Sequence, residues 1–156
     1  MELMKVYSHR GNLSGKSPRE NEPAFIRECI ARGFHVEVDL WCVDGAWFLG
    51  HDDPTHPIDL AEFDREEVIF HLKSPHVPPL RHADAFAIDN DRYVLTLRGL
   101  LWTNYGQPAT AQSVMCAPEL VGDSRPLEDF VRSIQHQAAG ICTDYPLIVR
   151  SVLARV

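Results

Sequence analysis

Four groups of polar residues interrupt otherwise apolar stretches of the sequence: His9-Arg10, Glu37-x-Asp39, His51-Asp52 and His71-x-Lys73. Side chains alternate along a strand, so Glu37 and Asp39 point to one side, as do His71 and Lys73. Two carboxylates this close raise one another's cost of ionisation unless a cation sits between them. A divalent metal held by oxygen ligands resolves that conflict. Imidazoles titrate near neutral pH, so His9 and His51 are suited to accepting and returning protons beside such a metal. Taken singly, an acid pair fits a solvated strand face and a lone histidine fits a structural role. Taken together, charged residues recurring amid Val, Ile, Leu and Phe at strand ends do not read as a surface face.

These groups need elements to carry them. "MKVYSHRG" reads as a strand ending in a turn, and "NEPAFIRECIARGF" as an amphipathic helix with Phe25, Ile26, Cys29 and Ile30 on one face and Gly33 closing it. "HVEVDLW" is a second strand, "AWFLGH" a short one after the Asp44-Gly45 turn, and "EVIFHLK" another, preceded by the helical turn "DLAEFDREE". "AFAID", "GLLWTN", "SVMCAP" and "AGICTD" add four short apolar runs. "PLEDFVRSIQHQA" and "PLIVRSVLARV" add two helices. The sum is seven core strands and a side hairpin.

Strands alternating with helices imply a largely parallel sheet, open or closed into a barrel. Eight strand-helix repeats would leave about 20 residues each, short of the roughly 22 a full repeat needs, so some repeats lack their helix. Pro75, Pro78 and Pro79 mark where: no helical period separates "VIFHLK", "AFAID" and "GLLWTN". In a parallel barrel the strand ends form the rim where active sites gather, and the four polar groups, with Thr143-Asp144 of the last strand, fall there. The expected fold is α/β, a minimal (β/α) TIM-type barrel with several helices shortened or missing, formed by residues 1–156 as one domain.

The chain has 156 residues, 45% of them hydrophobic, and a formal net charge of -7. This suffices for a core and argues against nucleic acid as a partner, since no basic run is present. No stretch approaches the roughly 18 to 20 apolar residues of a membrane span, and the N-terminus lacks the pattern of a signal peptide, so a cytoplasmic protein is expected. Cys29, Cys42, Cys116 and Cys142 are widely spaced without a CxxC pair and read as free thiols.

The segments "SHRGN", "PRENEPAFIRECIARGFHVEVDLW", "DGAWFLGHDDP", "HLK" and "AGICTDYP" together resemble the glycerophosphodiester phosphodiesterases, within the phospholipase C-like phosphodiesterase barrels. The likeness covers the first half almost continuously and about the last fifteen residues; residues 75–138 match loosely. It implies roles by position. His9 and His51 correspond to the acid/base histidines, Arg10 and Lys73 to phosphate contacts, and Glu37 and Asp39 to ligands of magnesium or calcium. Glu20 and Asn21 match the motif lining the site, and Asp52, Asp144 and Tyr145 fall in flanking motifs. The implied substrate is a small phosphodiester, hydrolysed by two-histidine acid/base catalysis, with a cyclic phosphate on the path where the substrate carries a neighbouring hydroxyl. The metal, Arg10 and Lys73 would offset charge building on phosphorus.

This chain departs from the family pattern in two places. His71-Leu72-Lys73 stands where the family has Glu-x-Lys, which removes one negative charge; as a ligand, His71 would favour manganese or zinc over calcium, and otherwise it is hydrogen-bonded nearby. The chain also lacks the insertion that encloses glycerol in longer members, leaving the alcohol open. Trp102 is either a stacking surface for a head group or a core residue, Glu119 either reaches the rim or is solvated, and Trp41 is expected to point away from the acids. His35, His56, His76, His82 and His136 show no partner pattern. The rival reading is a catalytically silent module that binds metal and phosphate on the same barrel. A barrel missing helices exposes apolar strand faces, from which a homodimer packed over the thin side is expected.

Overall fold

The computed structural model describes residues 2–87 and 90–155. Strand β1 (Lys5–His9) leads to helix α1 (Pro23–Ala31), which starts with proline at its first turn and buries Phe25, Ile26 and Cys29. Gly33, at φ 84°, closes it in the left-handed conformation that glycine adopts at little cost. The nine-residue β2 (His35–Val43) follows, then the hairpin of β3 (Ala46–Leu49) and β4 (His56–Ile58). A single helical turn, α2 (Leu60–Phe63), is capped by Asp59 accepting from the Ala61 amide. After it come β5 (Val68–Leu72), β6 (Asp84–Phe86), β7 (Tyr93–Leu95), β8 (Leu101–Thr103) and β9 (Ser113–Cys116). A 3-10 turn at Pro118–Val121, α3 (Leu127–Ile134), β10 (Gly140–Thr143) and α4 (Pro146–Leu153) complete the chain.

All these strands join one mixed, curled sheet. Seven run parallel in the spatial order β6, β5, β2, β1, β10, β9, β8, and these are the seven core strands expected. The hairpin β3–β4 and strand β7 are antiparallel additions. The sheet is curled like part of a barrel, but a full TIM-type barrel is not seen: among the described residues no ladder joins β6 to β8. Polar clamps occupy that seam instead. Thr96 Oγ1 donates to Asp84 at 2.7 Å, the Arg98 amide to Asp84 at 2.8 Å, and the Leu97 amide to the Ala85 carbonyl at 2.9 Å. The physical cause is the chain between β6 and β8, which turns back as β7 and has no helix to carry a parallel crossover. The "AFAID" strand is seen as far as Phe86; Ile88 and Asp89 lie outside the described residues.

Strand β2 explains how the site assembles. Leu40 pairs with Leu72 of β5 on one edge and with Leu49 of β3 on the other, so β3 takes over the edge that β1 leaves at Glu37. The loop after β3, carrying His51, therefore lies over the end of β1. Two apolar layers hold the sheet's outer face: one with Ile26, Val38 and Phe70 against α1 and α2, the other with Met115, Phe130 and Ile141 against α3 and α4. A third cluster, Tyr7, Ile69, Phe86, Trp102, Val114, Cys116 and Cys142, fills the inside of the curl beneath the polar residues. Burying each of these large side chains stabilises the fold by roughly 1.5–3 kcal/mol. All four cysteines are free thiols. No helix among the described residues is long and apolar enough to cross a membrane.

Candidate active site

At the C-terminal end of β1 the chain turns sharply: Arg10, a non-glycine residue at φ 57°, donates its amide to the Glu37 carbonyl at 2.8 Å and continues the ladder one step past His9. A left-handed conformation at arginine is uncommon and costs strain that the surroundings must hold. The holding contacts are on the side chain. Its Nη1 donates to Glu20 at 3.0 Å, its Nε lies 3.1 Å from Asp39 Oδ2, and its Nη2 lies 3.5 Å from His51 Nε2. Asn21, also left-handed at φ 62°, donates to Asp39 Oδ2 and accepts from the Asp39 amide, both at 2.9 Å. Glu20 and Asn21 thus fix Arg10 and Asp39 respectively.

Alternation places Glu37 and Asp39 on one face of β2, and the parallel register sets Asp39 opposite His71 of β5. Both carboxylates are buried. Their ligand atoms and that of His71 lie within 4.8 Å of one another, an arrangement that could hold a metal ion. His71 Nδ1 is 3.2 Å from Asp39 Oδ1. Burial first, and then the charge of Asp39, pushes the Glu37 carboxyl above the ordinary range. Burial pushes Asp39 the same way, but the His71 bond, Arg10 and Asn21 outweigh it and hold Asp39 low. Glu37 Oε2 is buried without a hydrogen-bond donor, a costly state that a cation would relieve. The donor set, two carboxylates and an imidazole, suits a divalent metal.

His9 faces this cluster with Nε2 3.7 Å from Glu37, while its Nδ1 is bonded to Asp144 at 2.8 Å. Burial lowers its basicity, but Asp144 and Glu37 outweigh that, so the imidazole titrates above its ordinary value. Asn12 donates to both Asp144, at 2.9 Å, and Glu20, at 3.1 Å, bridging the His9 and Arg10 supports. Glu119 accepts from the Asp144 amide at 3.0 Å and bonds the Thr143 hydroxyl. The sequence reading left Glu119 open and did not name Asn12; its place just after the His-Arg-Gly turn was the available signal.

His51 sits at the mouth, 44% exposed, its Nδ1 3.5 Å from Asp39 Oδ2. Trp41 donates its indole N–H to the Gly50 carbonyl at 2.6 Å and so supports the His51 loop. Trp41 shares the odd-numbered face of Glu37 and Asp39, which corrects the expectation that it points away. Asp52 is 90% exposed and approaches His51 at 3.6 Å, so it stands beside that histidine and does not line the pocket. Lys73 is half-buried where β5 ends, its amide donating to the Leu40 carbonyl, and its charge is felt at His71.

His9, Arg10, Glu37 and His71 form the polar side of a pocket of about 250 Å³. Phe86, Trp102, Cys116, Leu120 and Val121 form the opposite wall, with Asn104 among them. The Phe86 ring is sandwiched, 4.8 Å from His71 and 4.5 Å from Trp102 between centroids. Trp102 is therefore both a core residue and part of the pocket. A more open depression lined by Trp47, Asp59, Asp64 and Arg81 lies elsewhere and shows no comparable cluster.

No family model, curated protein or solved structure matches this chain. The likeness to phosphodiesterase barrels rests on the motifs of the sequence itself.

Proposed function

We propose that the protein is a metal-dependent phosphodiesterase acting on a small phosphodiester. The observation that carries this reading is the convergence of two histidines and Arg10 on a buried carboxylate pair, with Glu37 Oε2 left without a donor. Glu37, Asp39 and His71 would hold a divalent ion, with magnesium or calcium favoured by the carboxylates and manganese or zinc by the imidazole. When bound, that ion would supply Lewis-acid stabilisation of charge on the phosphoryl oxygens.

The chain's own residues would do the rest. Arg10 reaches toward the pocket from a fixed turn, with N–H donors for a phosphate oxygen. One histidine takes the proton of the attacking hydroxyl or water as its oxygen bonds to phosphorus. The other gives a proton to the departing ester oxygen as the P–O bond breaks. For His9, Asp144 occupies Nδ1 and leaves Nε2 as the nitrogen that faces the pocket.

The test is hydrolysis of bis-(p-nitrophenyl) phosphate and glycerophosphocholine by metal-stripped protein given magnesium, calcium, manganese or zinc. The expected result is turnover of bis-(p-nitrophenyl) phosphate restored by metal and abolished in His9→Ala and His51→Ala, with calorimetric metal binding retained in both. Phosphate binding without turnover in any metal would instead describe a silent binding module.

A further inference from the structure

The pocket has two unlike halves, and the half away from the metal cluster bears on which alcohol the phosphodiester carries. We infer that this site takes a phosphodiester with an apolar alkyl or arylalkyl group, and discriminates against glycerol and choline esters; the inference rests on the phosphodiesterase reading. The far wall is built from Phe86, Trp102, Cys116, Leu120 and Val121. Its one neutral amide, Asn104, already donates to the Asp91 carbonyl. A glycerol group packed there would have only the remaining capacity of that one amide for its hydroxyls, and each hydroxyl left without a partner costs roughly a factor of ten in affinity.

The wall is equally unsuited to a quaternary ammonium. Cation recognition uses the face of an aromatic ring, and both faces of Phe86 are covered, by His71 and by Trp102. Trp102, the other aromatic ring of that wall, has one face taken up by Phe86 as well. Leu120 and Val121 extend the apolar surface outward, Val121 being 57% exposed at the mouth. They belong to the 3-10 turn Pro118–Val121, which is anchored through Glu119 to the Asp144 amide at 3.0 Å. At about 250 Å³ the pocket is near the small end of ligand sites, so the group it accepts is compact.

Three methyl phosphodiesters of unactivated alcohols test this: benzyl methyl, glyceryl methyl and choline methyl phosphate, incubated with metal-loaded protein and followed by phosphorus NMR. The expected result is a kcat/KM for the benzyl ester at least tenfold above both others. Leu120→Asn should narrow that ratio to less than threefold. Turnover in which the glyceryl or choline ester equals or exceeds the benzyl ester overturns the inference and leaves the phosphodiesterase reading standing. No turnover of any ester with any of the four metals removes that reading and the inference together.

Discussion

Replacing Asp144 with asparagine removes one charge from a residue that touches neither the metal cluster nor the pocket's apolar wall. Its Oδ1 accepts from His9 at 2.8 Å and from Asn12 at 2.9 Å, and the His9 bond holds the Asp144 carboxyl below its ordinary value against the opposing effect of burial. A neutral amide offers a weaker acceptor and, if turned, a donor that would favour the opposite imidazole tautomer. Loss of a hydrogen bond between a charged group and its partner costs about 1.5–3 kcal/mol, readable as a lower urea midpoint. The kinetic effect should be larger. Acid/base catalysis by a positioned side chain contributes about 10²–10⁴-fold, so kcat on bis-(p-nitrophenyl) phosphate should fall by about 10²-fold or more. Metal affinity, measured by calorimetry, should stay within about threefold, because the Asp144 contacts run to His9, Asn12 and Glu119 and not to the metal cluster. A kcat within twofold of wild type, or a kcat loss matched by an equal loss of metal affinity, would refute the assignment of Asp144 as the residue that positions His9.

Three further outcomes are expected. A Cβ added at Gly50 would clash with the Asp53 carbonyl, so Gly50→Ala must displace the loop carrying His51; kcat should fall at least tenfold while far-ultraviolet circular dichroism is unchanged, and wild-type kinetics would show that the loop tolerates the shift. His35 titrates below its ordinary value, through burial first and the nearby Lys5 second. Its neutral form is therefore favoured in the fold, so its contribution is complete above pH 6.5 and is lost as pH falls below that value. His35→Gln should show a smaller drop in urea midpoint between pH 7 and 5 than wild type, and equal drops would remove this account. The homodimer expected from the bare side of the sheet makes the exposed Tyr93, Leu95 and Leu97 its seam. Light scattering should give twice 17.7 kDa, and a monomer at micromolar concentration removes the dimer.

Much of the site was legible because strands repeat every two residues: that alone puts Glu37 beside Asp39 and aims both at one face. The helices were equally readable from their apolar spacing, and α1, α3 and α4 fall within the segments that carried it. What local patterns could not give was register. Asp39 faces His71 only because β2 and β5 pair as they do across a hairpin and a helical turn, and nothing in either strand states the offset. The same holds for Glu119, whose carboxylate meets the Asp144 amide 25 positions along the chain. Closure of the sheet was not legible: seven parallel strands suggest a ring, whereas β7 turns antiparallel and the seam is left to Asp84 and Thr96. The place of Asp52 beside His51 was less legible for a simpler reason: it lies in a loop, where no period assigns a side chain to a face.

The central claim is that Glu37, Asp39 and His71 hold one divalent ion on which phosphodiester cleavage depends. The most direct measurement is a manganese titration of metal-stripped protein, with bound metal followed by calorimetry and turnover of bis-(p-nitrophenyl) phosphate followed in the same samples. The account predicts one ion per chain, turnover rising in proportion to occupancy, and loss of both in Glu37→Ala. Metal-free protein that turns over substrate at the full rate, or a Glu37→Ala variant that still binds the ion and cleaves, would contradict it.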